Sequence, residues 1–204
     1  MKRLKNLLRT LVIAVNLIQA SFSQAQQTSE NSVEGLPRTC GEAYVKFTAE
    51  KMTALHQITY FEEAIRHLKN TIAEPSNSQS EIDNANKLLI ETKAALDYVN
   101  KNYLSLAEID KAFERDCINK ENITFNDFDL KTQRPVAARK VSCHQGFKDL
   151  FTIIKDYFVF ANSRVFEESR RIHNAPTGQS GAIIQKYQTV VKDNSISFGK
   201  ICVR

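Results

Sequence analysis

Of the 204 residues, 28 are basic and 23 acidic, but four of the basic ones and none of the acidic ones lie in the first 25 positions. The rest of the chain is therefore almost neutral, at 24 against 23, and gives no ground for a nucleic-acid or acidic-membrane partner. Six glycines and four prolines are too few for a turn-rich β fold, and nothing after position 25 is apolar over the length that a bilayer demands.

The first 25 residues read as a signal peptide. Lys2, Arg3, Lys5 and Arg9 form a basic start, and Leu11 to Ala20 is a short apolar run. Ser23-Gln24-Ala25 puts small residues where a signal peptidase cuts, so cleavage is expected after Ala25. Residues 26–39 are polar and aperiodic, the pattern of a flexible tail.

A first helix is expected from Gly41 to Ala73. Its apolar seam is Tyr44, Phe47, Ala54, Ile58, Phe61, Ile65, Leu68 and Ile72, interrupted by Lys51 and facing a single partner or core. Glu74-Pro75-Ser76-Asn77 ends it, because proline cannot continue the ladder. Ser78 and Glu81 then form a capping-box pattern. The second helix carries Ile82, Ala85, Leu89, Leu96, Val99, Tyr103 and Leu106 on one face, with Thr92 in the series. Ser105 and Glu108 repeat the capping pattern, so a kink is expected before a segment from Leu106 to Arg115.

Ile118 to Ser142 keeps no helical period. It reads as a long connection anchored by aromatics, with a short extended piece. Its end is basic, through Lys131, Arg134, Arg139 and Lys140, and Asn122-Ile123-Thr124 is a glycosylation sequon if the host is eukaryotic. A third helix is expected from Gln145 to His173, apolar on nearly all sides between Leu150 and Ala161. A buried strand is the rival reading for Tyr157 to Phe160. Ala175-Pro176-Thr177-Gly178 is a turn, a shorter helix follows from Ala182 to Lys192, and Asn194 to Arg204 is expected to be a non-helical tail. Phe61-Glu62-Glu63 and Phe166-Glu167-Glu168 echo one another, as helical periodicity alone would produce.

Four cysteines, Cys40, Cys117, Cys143 and Cys202, all follow the signal. An even count in an exported chain implies two disulfides. Closing the two helical hairpins pairs Cys40 with Cys117 and Cys143 with Cys202, the second through a tail that extends back along its hairpin. If the hairpins lie parallel, all four cysteines meet at one end, and Cys40–Cys202 with Cys117–Cys143 is the rival. The expected fold is all-α: two disulfide-tied helical hairpins in an irregular four- or five-helix bundle. One helical domain covers 40–204, with hairpins 40–117 and 143–202 and the connection 118–142 between them.

No local pattern supports catalysis. Glu62, Glu63, Glu167 and Glu168 could meet between helices, but i,i+4 surface pairs of Glu63 with His67 and of Glu62 with Arg66 are the simpler reading. His56 and His67 are too far apart along one helix to hold a metal together. Gly178-Gln179-Ser180-Gly181 misses the serine elbow, and Cys143-His144 has Lys140 where a haem-attachment motif needs a cysteine. No enzyme activity, metal or cofactor is therefore expected. The expected function is a secreted or periplasmic module that binds a protein partner through the connection, with contacts at Phe125, Phe128, Arg134 and Arg139. The alternative is a carrier of an apolar small molecule held by Phe151, Tyr157 and Phe158.

Overall fold

A computed structural model describes residues 39–170 and 178–204, which include five helices: α1 (Cys40–Ala73), α2 (Gln79–Ser105), α3 (Ala107–Cys117), α4 (Cys143–Arg170) and α5 (Gly178–Ile201). The described residues form one compact unit, an all-α bundle tied by two disulfides. The expected signal peptide, the tail up to position 38 and the turn at 175–177 lie outside the described residues, as does the expected end of the third helix at His173.

Each helix boundary has a local cause. Thr39 caps α1, its hydroxyl accepting the Glu42 N–H at 3.1 Å. Beyond Pro75 the Asn77 side-chain amide donates to the Thr71 carbonyl at 2.7 Å, satisfying one of the carbonyls left open at the helix end. The capping box at Ser78 and Glu81 is complete: Glu81 Oε2 takes the Ser78 N–H at 2.9 Å, and Ser78 Oγ takes the Glu81 N–H. The second capping box does not form. Ser105 belongs to α2 and donates to Asn102 O at 2.6 Å, and Leu106 alone separates α2 from α3 with its backbone still in the helical region. The chain therefore kinks without breaking.

α1 sits at the centre. It buries two stripes instead of the expected one, lying against α2 on one side and α4 on the other. The polar residues Thr48, Lys51, Gln57, Thr59 and His67 are consequently buried beside Phe47, Leu55, Ile58, Phe61 and Leu68. Where α1 meets α4, Asn162 Nδ2 donates to Thr59 Oγ1 at 2.9 Å, and Thr59 in turn donates to Leu55 O at 2.9 Å. At the cysteine end Tyr44, Phe47, Phe113, Phe147, Phe151 and Phe198 pack ring against ring. Tyr157 to Phe160 is helical, which removes the strand alternative.

The C-terminal segment corrects the sequence reading. Residues 194–201 are not an extended tail but the last two turns of α5. Asn194, Phe198 and Cys202 follow one another at spacing four, each 0% exposed, and continue the stripe begun by Tyr187 and Val190. Burial of that stripe outweighs the weak helix propensity of Asn194, Ser195, Ser197 and Gly199. Helix α5 itself thus carries Cys202 back to Cys143.

The pairing is Cys40–Cys117 and Cys143–Cys202. Both bonds lie at the same end, where the chain terminus stitches them together. Asn119 N–H donates to Cys202 O at 2.8 Å, Arg204 N–H donates to Cys117 O at 3.0 Å, and Ile118 bridges Val203. The gathering of cysteines foreseen for the rival pairing thus occurs with the first pairing. Two disulfides suit an oxidising compartment, and no helix among the described residues is long and apolar enough to cross a membrane.

Candidate binding arm

The segment between α3 and α4 folds into a two-stranded arm. Its outer pair is β1 (Asn122–Phe125) with β4 (Arg139–Ser142), antiparallel in the register Asn122↔Ser142 to Phe125↔Arg139. The inner pair is β2 (Phe128–Asp129) with β3 (Arg134–Pro135). In β1 exposed and buried residues alternate, so Ile123 and Phe125 enter the core while Asn122 and Thr124 face out. At the tip the Asp129 carboxylate accepts the Lys131 N–H and the Thr132 hydroxyl, both at 2.8 Å. These bonds, the Thr132 side chain first, hold its carboxyl below the usual range. Gln133 completes the turn at φ 56°, the only non-glycine residue at positive φ among those described.

Asn194 fixes the arm to the bundle. It is fully buried on α5, its Oδ1 accepts the Asn126 N–H at 3.0 Å, and its Nδ2 donates to Asn126 O at 2.7 Å. Phe128 lies flat on Tyr187 of α5, with centroids 4.4 Å apart and planes 9° apart. Arg139 passes over the Phe125 ring at 5.3 Å and donates to Asp127 at 2.7 Å and to Asp149 of α4 at 2.8 Å. Those carboxylates, Asp127 first, push its guanidinium pKa higher still.

The four expected contact residues therefore separate. Phe125 and Phe128 are 1% and 9% exposed and serve as core anchors, so they do not present themselves to a partner. The charge of Arg139 is taken up by two carboxylates, which makes it a strut between arm and bundle. Arg134 is exposed at the tip. The sequence reading missed Leu130 and Val136, apolar residues 39% and 46% exposed on either side of Arg134. The signal available was the distance of this stretch from the alternating β1 pattern that anchors the base.

Two clefts flank the arm. One, of about 110 Å³, lies between Asp127, Phe128 and Arg139 of the arm, Asp149 and Asp156 of α4, and Tyr187 of α5. Burial raises the Asp156 carboxyl and the Tyr187 phenol, and the phenol is raised further by Asp156 and Asp127. The other, of about 370 Å³, is an open groove between Asn126 and Pro135 of the arm and Lys186, Thr189, Val190 and Asp193 of α5.

The chain matches no known protein family, curated protein or solved structure.

The residues considered for a small-molecule site are each engaged with neighbouring side chains. Phe151 is buried, edge-on to Phe147 at 5.3 Å and beneath the Lys51 ammonium at 4.0 Å. Tyr157 stands edge-on to Tyr187 at 5.5 Å, and Phe158 lies against His56 at 4.9 Å. None of the three lines either cleft beside the arm.

The acid–base candidates are likewise paired locally. Glu63 meets His67 at 3.3 Å, as expected, but Arg66 pairs with Glu63 and not with Glu62. His67 is 2% exposed and stacks on Phe166 at 4.9 Å, while Glu167 is 3.3 Å from Arg164. The side chain of Glu168 lies outside the described residues. Gly178-Gln179-Ser180-Gly181 falls in the first turn of α5. No group of three metal-ligating side chains occurs among the described residues, and all four cysteines are in disulfides.

Proposed function

We propose that this chain is an exported, non-enzymatic binding module, secreted or periplasmic, that acts through a protein partner met by the arm. The observation that carries this reading is the division within the arm. Its base is built into the core through Ile123, Phe125 and Phe128, whereas its tip places Leu130, Lys131, Arg134 and Val136 on the exposed surface. A loop whose anchor is rigid and whose end mixes exposed apolar and cationic side chains is suited to recognition. The Asn194 clamp and the Arg139 strut pre-organise it, which lowers the ordering cost of binding.

The test spares the core. Deleting 123–140 would remove buried anchors, so Leu130 and Val136 are changed to Ser together. Partners are then recovered by affinity capture from the compartment in which the chain resides. Loss of a specific partner with circular dichroism and thermal midpoint unchanged supports the reading. Retention of every partner by the variant places the site elsewhere. The carrier alternative rests on Tyr157 and Phe158, which are half-buried on α4. It requires an apolar ligand to quench tyrosine fluorescence at a stoichiometry of one, and Phe158→Ala to abolish the effect.

A further inference from the structure

We infer that the partner contributes an acidic polypeptide segment, which lies across the arm tip and along the groove between β3 and α5. The inference rests on the protein-partner reading above and adds the chemistry of what is bound. From Leu130 to Lys140 the chain has four cationic side chains and no acidic one. Arg139 is compensated by Asp127 and Asp149. Lys131, Arg134 and Lys140 are exposed and have no carboxylate partner within 4.0 Å among the described residues. The groove that starts at Pro135 is lined on α5 by Lys186 and by Asp193, so a cation is available there beside one carboxylate. Val190 also lines it, and Leu130 and Val136 stand exposed nearby in the chain.

A simpler explanation must be weighed. Edge strands often carry lysine and proline to prevent pairing with other chains, and Pro135 and Lys140 fit that role. Edge protection does not explain the exposed Leu130 and Val136. It would favour covering those side chains or replacing them by polar ones.

The type of polyanion follows from the charges around the cations. Asp193 lines the groove, Asp129 stands across the strand pair from Arg134 within the tip, and Asp127 pairs with Arg139 at its root. A uniform phosphodiester chain would meet these carboxylates at regular intervals and be repelled. A polypeptide can set Asp or Glu against Lys131, Arg134 and Lys186 and an apolar or neutral residue against Leu130, Val136 and Asp193. Such matching is how charges at an interface rim select a partner.

The test uses the full chain in cells that naturally produce it. A photo-crosslinking residue replaces Val136, and a control replaces exposed Ile90 on α2. The adduct is identified by mass spectrometry down to the linked peptide. The expected result is an adduct specific to position 136, linked to a peptide richer in Asp and Glu than in Lys and Arg. The K131E/R134E/K186E variant should lower its yield by roughly tenfold, since three rim contacts turn from attractive to repulsive. K131Q/R134Q/K186Q should give an intermediate loss and guards against misfolding of the reversed form. Disulfide mapping and circular dichroism verify both variants. A specific partner that links equally well to the charge-reversed chain overturns the acidic segment and leaves the partner reading standing. An adduct to a second copy of this chain, to lipid or to nucleic acid overturns this inference. The absence of any position-specific adduct overturns both readings.

Discussion

The buried side chain of Asn194 satisfies the backbone of Asn126 in both directions, accepting its N–H at 3.0 Å and donating to its carbonyl at 2.7 Å. One amide on α5 thus substitutes for a missing strand neighbour at the bend where β1 ends and β2 begins. Asn194→Ala leaves both backbone groups without that partner and is expected to cost about 2 kcal/mol, the scale for orphaned buried polar groups. Asn194→Asp keeps the acceptor but loses the donor and buries a carboxylate, which raises its pKa. Its folded form then holds the proton longer than the unfolded chain, so stability is lost as pH rises through that raised value. Urea unfolding should place the Asp variant below the Ala variant at neutral pH and bring it level or above on acidification.

A second polar device lies deeper. Lys51 is 6% exposed among Phe47, Phe147 and Phe151, and its ammonium reaches both oxygens of Asp110 on α3, at 2.7 and 2.5 Å. Asp110→Ala strands a buried cation and is expected to cost about 3 kcal/mol, the low end for breaking a buried pair, because the Asp110 side chain is 30% exposed. Lys51→Met fills the same space without charge, and the Asp110 carboxylate it leaves is 30% exposed and turns to water, so the change should cost only about 1 kcal/mol. Burial holds the ammonium below its ordinary value of 10.5, with Asp110 opposing. Between the lowered and the ordinary value the unfolded chain binds more protons than the folded one, so this group's contribution rises with pH. The native chain should therefore gain on Lys51→Met as pH approaches 10.5 from below.

Lys51 also shows what the sequence could convey. It falls on the heptad-like seam of α1, where a lysine reads as an interruption, yet it is buried because α1 has two partners instead of one. A single-stripe reading finds the helix but not its central position. The Cys40–Cys117 pair was legible because the ends of the first hairpin bring the partners together, whereas Cys143–Cys202 was reached through an extended tail that is in fact the end of α5. The Ser78–Glu81 box was legible because capping is local. The end of α5 was not, since Asn194, Ser195 and Ser197 read as loop by propensity, and only the spacing of Asn194, Phe198 and Cys202 records the buried stripe. In the arm, Phe125 follows the alternation of β1, whereas Phe128 comes three residues later, past the bend at Asn126. Period-two reasoning therefore could not tell that Phe128 also turns inward.

Two glycines on α5 are expected to respond in opposite senses. A Cβ at Gly181 meets nothing within 4 Å, so Gly181→Ala should stabilise by up to about 1 kcal/mol through helix propensity. A Cβ at Gly199 would lie 2.9 Å from Cε1 of Tyr44, a ring held by its hydroxyl's 2.9 Å bond to Ser195 O. Gly199→Ala should therefore destabilise by about 1–3 kcal/mol despite the propensity gain, as overpacking does. The two effects separate in a double-mutant cycle. With Tyr44→Leu in the background, thermal unfolding should show Gly199→Ala becoming neutral or favourable, while Gly181→Ala keeps its value.

The two disulfides close loops of similar size, with sequence separations of 77 and 59. In the chain-entropy picture each contributes about 4 kcal/mol, and the logarithm makes the difference between them only about 0.2 kcal/mol. Their accessibility is far less equal. Cys143 and Cys202 are both 0% exposed, beneath the stitched terminus. Cys40 is half-buried at the start of α1, and Cys117 is 9% exposed. Thiolate attack requires approach to a sulfur, so mild reductant at neutral pH should open Cys40–Cys117 first and Cys143–Cys202 only after global unfolding. Timed alkylation followed by peptide mapping distinguishes the steps. A population with Cys143 and Cys202 alkylated while Cys40–Cys117 remains intact would contradict this order. The Cys40→Ser/Cys117→Ser pair should leave the arm clamped, because Asn194 and the second disulfide hold α5 in place. The Cys143→Ser/Cys202→Ser pair should loosen both the terminus and the arm. Hydrogen exchange at the Asn126 amide reports the difference, since that proton is protected only while Asn194 stays seated.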